Sequence, residues 1–428
     1  MATPALRTHR VLTALEHQPL PITDDGTDWS LTPAEAERLA RIGELRPGFC
    51  ELGARQVKLA QYCGVVGLGD RVLEVLPKVD DASTSAEECR GVLLRLLSRT
   101  ERFAHFKHQA AGQHLRRMPL LEVFIATFFD SVASLARGGL LRQYQPLEAD
   151  LQVVRGRIDL GRQFGVHANR PDRLTCHFDE LTADNVWNRT LKKAIRCTRR
   201  WIRRADLDRH WLELMGVLDE VDDGRITSAD VDRLQFDRQA GRYRDAVEWA
   251  RWILALPAPA LRAGRHEAPA LLFDMNRLFE SAVAAEARRQ LRWIPSLTVA
   301  SQDTSTWLGC LASDARVEPA FQLRPDLVFR RGEAAVAIAD SKWKRVKLDR
   351  LGRLLPAEAD LYQMHAYAAA FGCHDLQLIY PWHAGLAGAR QAEIRLPLLN
   401  GRPPVLRVNC IDVHSDELPL LIGVWPSA

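Results

Sequence analysis

Arg324-Pro325-Asp326-Leu327-Val328-Phe329 and Val336-Ala337-Ile338-Ala339-Asp340-Ser341-Lys342 are the stretches on which the reading of this chain turns. Both read as strands, and Arg331-Gly332-Glu333 between them is turn chemistry. A hairpin of this kind brings Asp326 to the end of the second strand. Asp340 and Lys342 are separated by one residue, so on an extended strand they face the same side. Two carboxylates and an ammonium then converge on one point. Close carboxylates repel unless a cation lies between them, and hard oxygen donors favour Mg2+. A lysine beside a metal-bound water can orient or deprotonate it. That is the equipment of metal-assisted phosphodiester hydrolysis.

The lysine is a deliberate choice. The chain has eight Lys among 58 basic residues, and three of them, Lys342, Lys344 and Lys347, fall in one short segment. An ammonium is compact and its pKa shifts readily, whereas a guanidinium stays charged.

The neighbouring sequence supplies matching parts. In Ala270–Glu280 the apolar residues at 272, 275, 278 and 279 have helical spacing, which places Glu280 near an apolar stripe. An acid there needs a partner. Asp360–Phe371 reads as a helix ended by Gly372, with Gln363 and Tyr367 stacked on one face. Leu376–Tyr380 follows as a buried strand before Pro381. The expected order is helix with Glu280, strand, strand with Asp326, strand with Asp340 and Lys342, helix with Gln363 and Tyr367, strand.

That series resembles the PD-(D/E)xK nuclease fold, and Gln363 with Tyr367 resembles the pair of its RecB-type branch. The second acid of this pattern is often Glu; here it is Asp340. A narrower resemblance covers residues from about 45 to the end. Asp274–Glu280, Leu323–Asp326 and Asp340–Lys342 are similar to the McrC family, the nuclease subunits of McrBC modification-dependent restriction systems. So are Gly64–Asp70, Leu73–Lys78, Arg155–Asp159 and Phe178–Asn188, whereas residues 1–44 match nothing in the family. The resemblance implies a Mg2+-dependent endonuclease acting on modified double-stranded DNA with a hexameric AAA+ GTPase of McrB type. Asp326 and Asp340, helped by the Ser341 carbonyl, would hold the metal, with Glu280 binding it directly or through water. Lys342 would position the attacking water. Gln363 and Tyr367 would orient the site or contact the substrate strand. The N-terminal region would dock in the partner ring and stimulate GTP hydrolysis. Two other readings remain open: a regulatory subunit with a weak nuclease site, and a stand-alone repair nuclease of the RecB branch.

At 428 residues and 47% hydrophobic content, two or three domains with real cores are expected. The fold class is multidomain α+β and α/β. Residues 1–140 form a β-rich and helical partner-binding region, 141–262 a mixed strand and helical middle region, and 263–428 the restriction-endonuclease-like α/β domain. Pro257–Gly264 reads as the linker before an independently folding nuclease region. A net charge of +4 permits nucleic-acid binding without demanding it. The eight scattered Cys read as reduced thiols of a cytoplasmic protein, and no run is apolar enough to span a membrane.

Other signals have a bland reading beside a sharp one. The Arg196–Arg204 strip, with Lys192 and Lys193, reads as phosphate contacts or as a solvated helix face. Gly64-Val65-Val66-Gly67-Leu68-Gly69 lies between strands, so it is a hairpin turn, with Gly67–Asp70 as an exposed tip, and not a nucleotide loop. His365, His374 and His383 are too widely spaced for zinc. Trp187, Trp201, Trp211, Trp249 and Trp252 read as core. Arg155-Gly156-Arg157 is either a phosphate-binding turn or an ordinary one. Asp184 reads as the cap of the helix that follows it.

Overall fold

The computed structural model describes residues 11–69, 71–79, 85–100, 116–165, 170, 172–256, 270–294, 296–313 and 316–415. The Pro257–Gly264 linker and Asp70 lie outside them. Contacts divide the chain into two compact units, Met1–His9 with Leu121–Ala270, and Arg10–Leu120 with Leu271–Ala428. This grouping departs from the three sequence regions, because residues from 10 to 120 fold together with the nuclease region.

The physical reason is a shared sheet. Strands Val11–Leu15, Val72–Leu76, Tyr62–Gly67 and Ala270–Asp274 lie side by side in that order. The first two are parallel and the middle two antiparallel. Residues 270–274, expected to open a helix, instead complete this sheet. A Cβ at Gly64 would stand 1.9 Å from the Leu271 carbonyl oxygen, so the close approach of the two strands requires glycine there. The helix begins only at Met275, where the Asp274 side chain accepts the Asn276 N–H at 2.9 Å. The Gly67–Gly69 corner is not an exposed tip, since Gly67 and Leu68 are buried and Leu68 is 6% accessible.

The same unit contains a six-stranded mixed sheet. Its order is Thr298–Ser301, Leu327–Arg331, Ala334–Ser341, Asp375–Pro381, Val405–Ile411 and Gln391–Arg395. The expected hairpin forms, Leu327–Arg331 pairing antiparallel with Ala334–Ser341 around Gly332 at φ +60°. Ala334–Ser341, the helix Glu358–Phe371 and the parallel strand Asp375–Pro381 make a βαβ crossover. The helix Met275–Leu291 also packs on Ala334–Ser341. Val328, Ile338, Met364, Tyr367, Leu376, Leu378 and Tyr380 form one buried cluster.

The other unit pairs a small sheet with helices. Gln143–Leu151, Leu174–Thr182 and Arg157–Ile158 form the sheet, and the helices include Val186–Thr198, Ala205–Val217 and Arg244–Ala255. Trp187, Trp201 and Trp249 are buried, as read from their spacing. The Tyr243 hydroxyl donates to Asn188 Oδ1 at 2.8 Å and accepts the Leu141 N–H at 2.7 Å. Asn185, and not Asp184, caps Val186–Thr198; Asp184 instead binds Arg189 through two hydrogen bonds. Within the arginine strip, Arg196 pairs with Asp223, Arg199 with Asp208 and Arg204 with Asp206, while Arg200 lies over the Trp201 ring. Lys192 and Lys193 donate to the Val221 and Ile226 carbonyls. Arg155 lies 4.1 Å over the Phe178 ring, and Gly156 abuts the His177 carbonyl, so this turn is held by packing. Among the described residues no helix is long and apolar enough to cross a membrane.

Candidate active site

Register builds the site. Leu327 pairs with Ala339 and Val328 with Ile338, so the next rung places Asp326 across from Asp340. A one-residue irregularity after Phe329 lies at the far end of the hairpin and leaves this rung undisturbed. A slip of one residue would turn Asp340 to the opposite face. Asp326 Oδ2 accepts the Ser341 N–H at 2.8 Å and the Ser341 hydroxyl at 2.9 Å. Lys342 follows the strand, its N–H bonded to the Ile379 carbonyl at 2.9 Å.

The Lys342 ammonium stands 2.6 Å from Asp340 Oδ2, as an ion pair. That ammonium is the near partner of Asp340 Oδ2, an otherwise buried oxygen. Asp340 is 1% accessible. Burial, and then the charge of Asp326, raise its pKa well above the usual carboxylate range. Burial also raises Asp326, against the lowering effect of the two Ser341 hydrogen bonds. For Lys342 burial disfavours the charge, but the Asp340 carboxylate outweighs it and the ammonium is held more firmly protonated.

Glu280, on Met275–Leu291, is half-buried, and burial and then Asp326 raise its pKa to about 6. It does not join the acid pair directly. The carboxamide of Gln302 lies between them, donating to Glu280 Oε1 and, at 3.3 Å, to Asp326 Oδ1. Gln363 donates to the Tyr367 hydroxyl at 2.7 Å. Burial raises the Tyr367 pKa, and Asp340 and Asp326 add to it, which places this pair in the field of the acids.

Sequence reasoning missed three further groups. Gln302 is one. Asp360 is another, a buried acid that binds Lys344 and, at 2.6 Å, the Tyr380 hydroxyl. The third is Glu16, a buried acid accepting the Trp343 indole N–H at 3.0 Å. Trp343 follows Lys342 and packs on Phe279, the neighbour of Glu280, with ring centroids 5.4 Å apart. The lysine cluster could have flagged Asp360. Nothing local in the sequence marks Gln302 or Glu16. His374 and His383 each bond a backbone carbonyl, of Leu399 and Val346.

The donor set suits a hard divalent cation. Two facing carboxylates lie next to the Ser341 backbone, and their mutual repulsion, which raises the Asp340 pKa, is what a divalent cation relieves. Among the described residues no three Asp, Glu, His or Cys side chains form a ready cluster. Mg2+ suits such a site, since it is held by one or two carboxylates and keeps several waters.

Paired acids and a lysine at the end of a mixed α/β sheet define a class of candidate hydrolases. The model of the family described as McrBC 5-methylcytosine restriction system component matches residues 57–381, a span that contains all of these side chains. The chain belongs to that family, as its McrC component. No curated protein sequence matches it. A chain from a half-complex of the tetradecameric assembly of Thermococcus gammatolerans McrB AAA+ hexamers with bound McrC is 19% identical. The match covers 94% of each chain at a TM-score of 0.66, so the fold is shared. A chain of the Thermococcus gammatolerans McrBC complex is 21% identical over 66% of this chain and 88% of that one, at a TM-score of 0.49.

Proposed function

We propose that this chain is a Mg2+-dependent endonuclease subunit of the PD-(D/E)xK type. It cuts modified double-stranded DNA in the cytoplasm together with an AAA+ GTPase of McrB type, whose GTP hydrolysis it stimulates. The observation that carries the nuclease reading is the Asp326–Asp340 pair beside Lys342, whose ammonium stands 2.6 Å from the buried Asp340 Oδ2. Family membership and a fold shared with a chain of the McrB–McrC assembly support the partner.

Asp326, Asp340 and the Ser341 carbonyl would hold Mg2+, with Glu280 as an outer acid. When bound, Mg2+ supplies Lewis acidity toward the phosphate and the attacking water. Asp326 is fixed by Ser341, so one of its oxygens stays aimed across the hairpin. Lys342, kept protonated by Asp340, orients the water and offsets charge on the phosphate. Gln363 and Tyr367, tied to each other, line the approach of the substrate strand.

Cleavage of methylated and unmethylated DNA, with and without the GTPase, tests this. Cutting confined to modified DNA, with GTPase and Mg2+ present, is the expected result. Efficient cutting by the chain alone would favour a stand-alone repair nuclease. GTPase stimulation without any cutting would favour a regulatory subunit.

A further inference from the structure

Gln302 ends the Thr298–Ser301 strand in a left-handed backbone conformation, at φ +53°. That region suits Gly, Asn or Asp, and a Gln there is strained. The strain is held in place on every side. The Gln302 N–H donates to the Asp326 carbonyl at 3.0 Å. The adjacent Asp303 accepts the Ser305 N–H and an Arg330 N–H, both at 2.8 Å. From this fixed corner the carboxamide reaches Glu280 Oε1 and Asp326 Oδ1 at once. Asp326 is thereby gripped at both oxygens, by Ser341 on Oδ2 and by Gln302 on Oδ1. Asn would fit the backbone better but is one methylene shorter. What Gln adds is reach, and an observed backbone outlier beside two acids points to a role in the site.

We propose that Gln302 is a positioning residue of the metal site, its carboxamide bridging Glu280 to Asp326 so that both acids are set for one divalent cation. This rests on the metal-dependent reading above. Groups that hydrogen-bond to ligating carboxylates fix their orientation, and losing one costs roughly 10–100-fold in metal affinity.

The test uses full-length protein without DNA. Mn2+, a hard cation taking the same oxygen donors, is titrated and followed by electron paramagnetic resonance, and thermal unfolding is measured alongside. Gln302→Gly relieves the backbone and removes the bridge. It is expected to unfold at or above the wild-type temperature yet bind Mn2+ about 10–100-fold more weakly. Gln302→Asn keeps an amide and a compatible backbone, and is expected to show the same weakening. Wild-type Mn2+ affinity in both variants overturns the proposal. Asp340→Asn separates the two claims. Its loss of Mn2+ binding, beside unchanged Gln302 variants, would reject the role of Gln302 alone. Its retention of wild-type binding would reject the metal site itself.

Discussion

The Lys342 ammonium keeps a quarter of its side chain exposed while paired with buried Asp340, so it can face a phosphate and remain charged. An arginine carries the same charge but a larger, planar head that does not fit the place of a compact ammonium beside Asp340. Lys342→Arg is therefore expected to lower Mg2+-dependent cleavage by roughly 100-fold or more, with folding retained. Turnover near wild type in steady-state assays would show that only charge is needed there. Glu16 carries a different prediction, about pH. Its Oε1 accepts both the Lys78 N–H at 2.9 Å and the Trp343 indole N–H at 3.0 Å, and burial raises its pKa from 4.5 to about 7. The folded state thus holds a proton that the unfolded chain has given up between those values. The contribution of this group to stability is greatest below 4.5, falls as pH rises, and is lowest above about 7. A Gln at this position keeps one oxygen for both donors and never ionises. Glu16→Gln should resist urea better than wild type at about pH 8, by at most about 3 kcal/mol, and show a smaller advantage at about pH 5. Equal pH profiles for the two proteins would contradict the assignment.

Elements whose signals are local were legible in the sequence. The Leu327–Arg331 and Ala334–Ser341 hairpin announces itself by apolar strands around Gly332, and Glu358–Phe371 by its spacing and by Gly372, at φ +62°. These two elements carry Asp326, Asp340, Lys342, Gln363 and Tyr367, so most of the candidate site was readable. Ala270–Asp274 was not, because a short apolar run fits a helix or a strand equally well. Its partner, Tyr62–Gly67, is about two hundred residues away in the chain, and only tertiary pairing decides the matter. Gln302 was hidden for the same reason, since its role depends on acids brought together by the fold. Gly64 tests the sheet assignment. It has φ +140° and no room for a Cβ against the Leu271 carbonyl. Gly64→Ala should destabilise the protein by roughly 3 kcal/mol, read from denaturant unfolding. A change within experimental error would mean that the two strands do not meet as described.

At the scale of the whole molecule, the N-terminal strands and the candidate nuclease region are one folding unit. The Leu271–Ala428 part gives a strand to the N-terminal sheet, Trp343 is bonded to Glu16, and Arg95 donates to the Val413 carbonyl at 3.1 Å. A fragment of residues 265–428 alone would expose the Leu272 and Trp343 contacts and leave Ala270–Asp274 unpaired. It is expected to lack a cooperative thermal transition, contrary to what the Pro257–Gly264 linker suggests from sequence. A sharp transition, with native-like circular dichroism, would restore the independent-domain view. The same union means that a partner docked on the N-terminal part would act on the unit that carries the acids. The central claim remains the chemistry of Asp326, Asp340 and Lys342. Its most direct test is cleavage of methylated DNA by full-length Asp340→Ala and wild type, with Mg2+, GTP and the McrB-type partner present. The account predicts cleavage by wild type and none by Asp340→Ala, while both stimulate GTP hydrolysis equally. Mg2+-dependent cleavage by Asp340→Ala at the wild-type rate would contradict it.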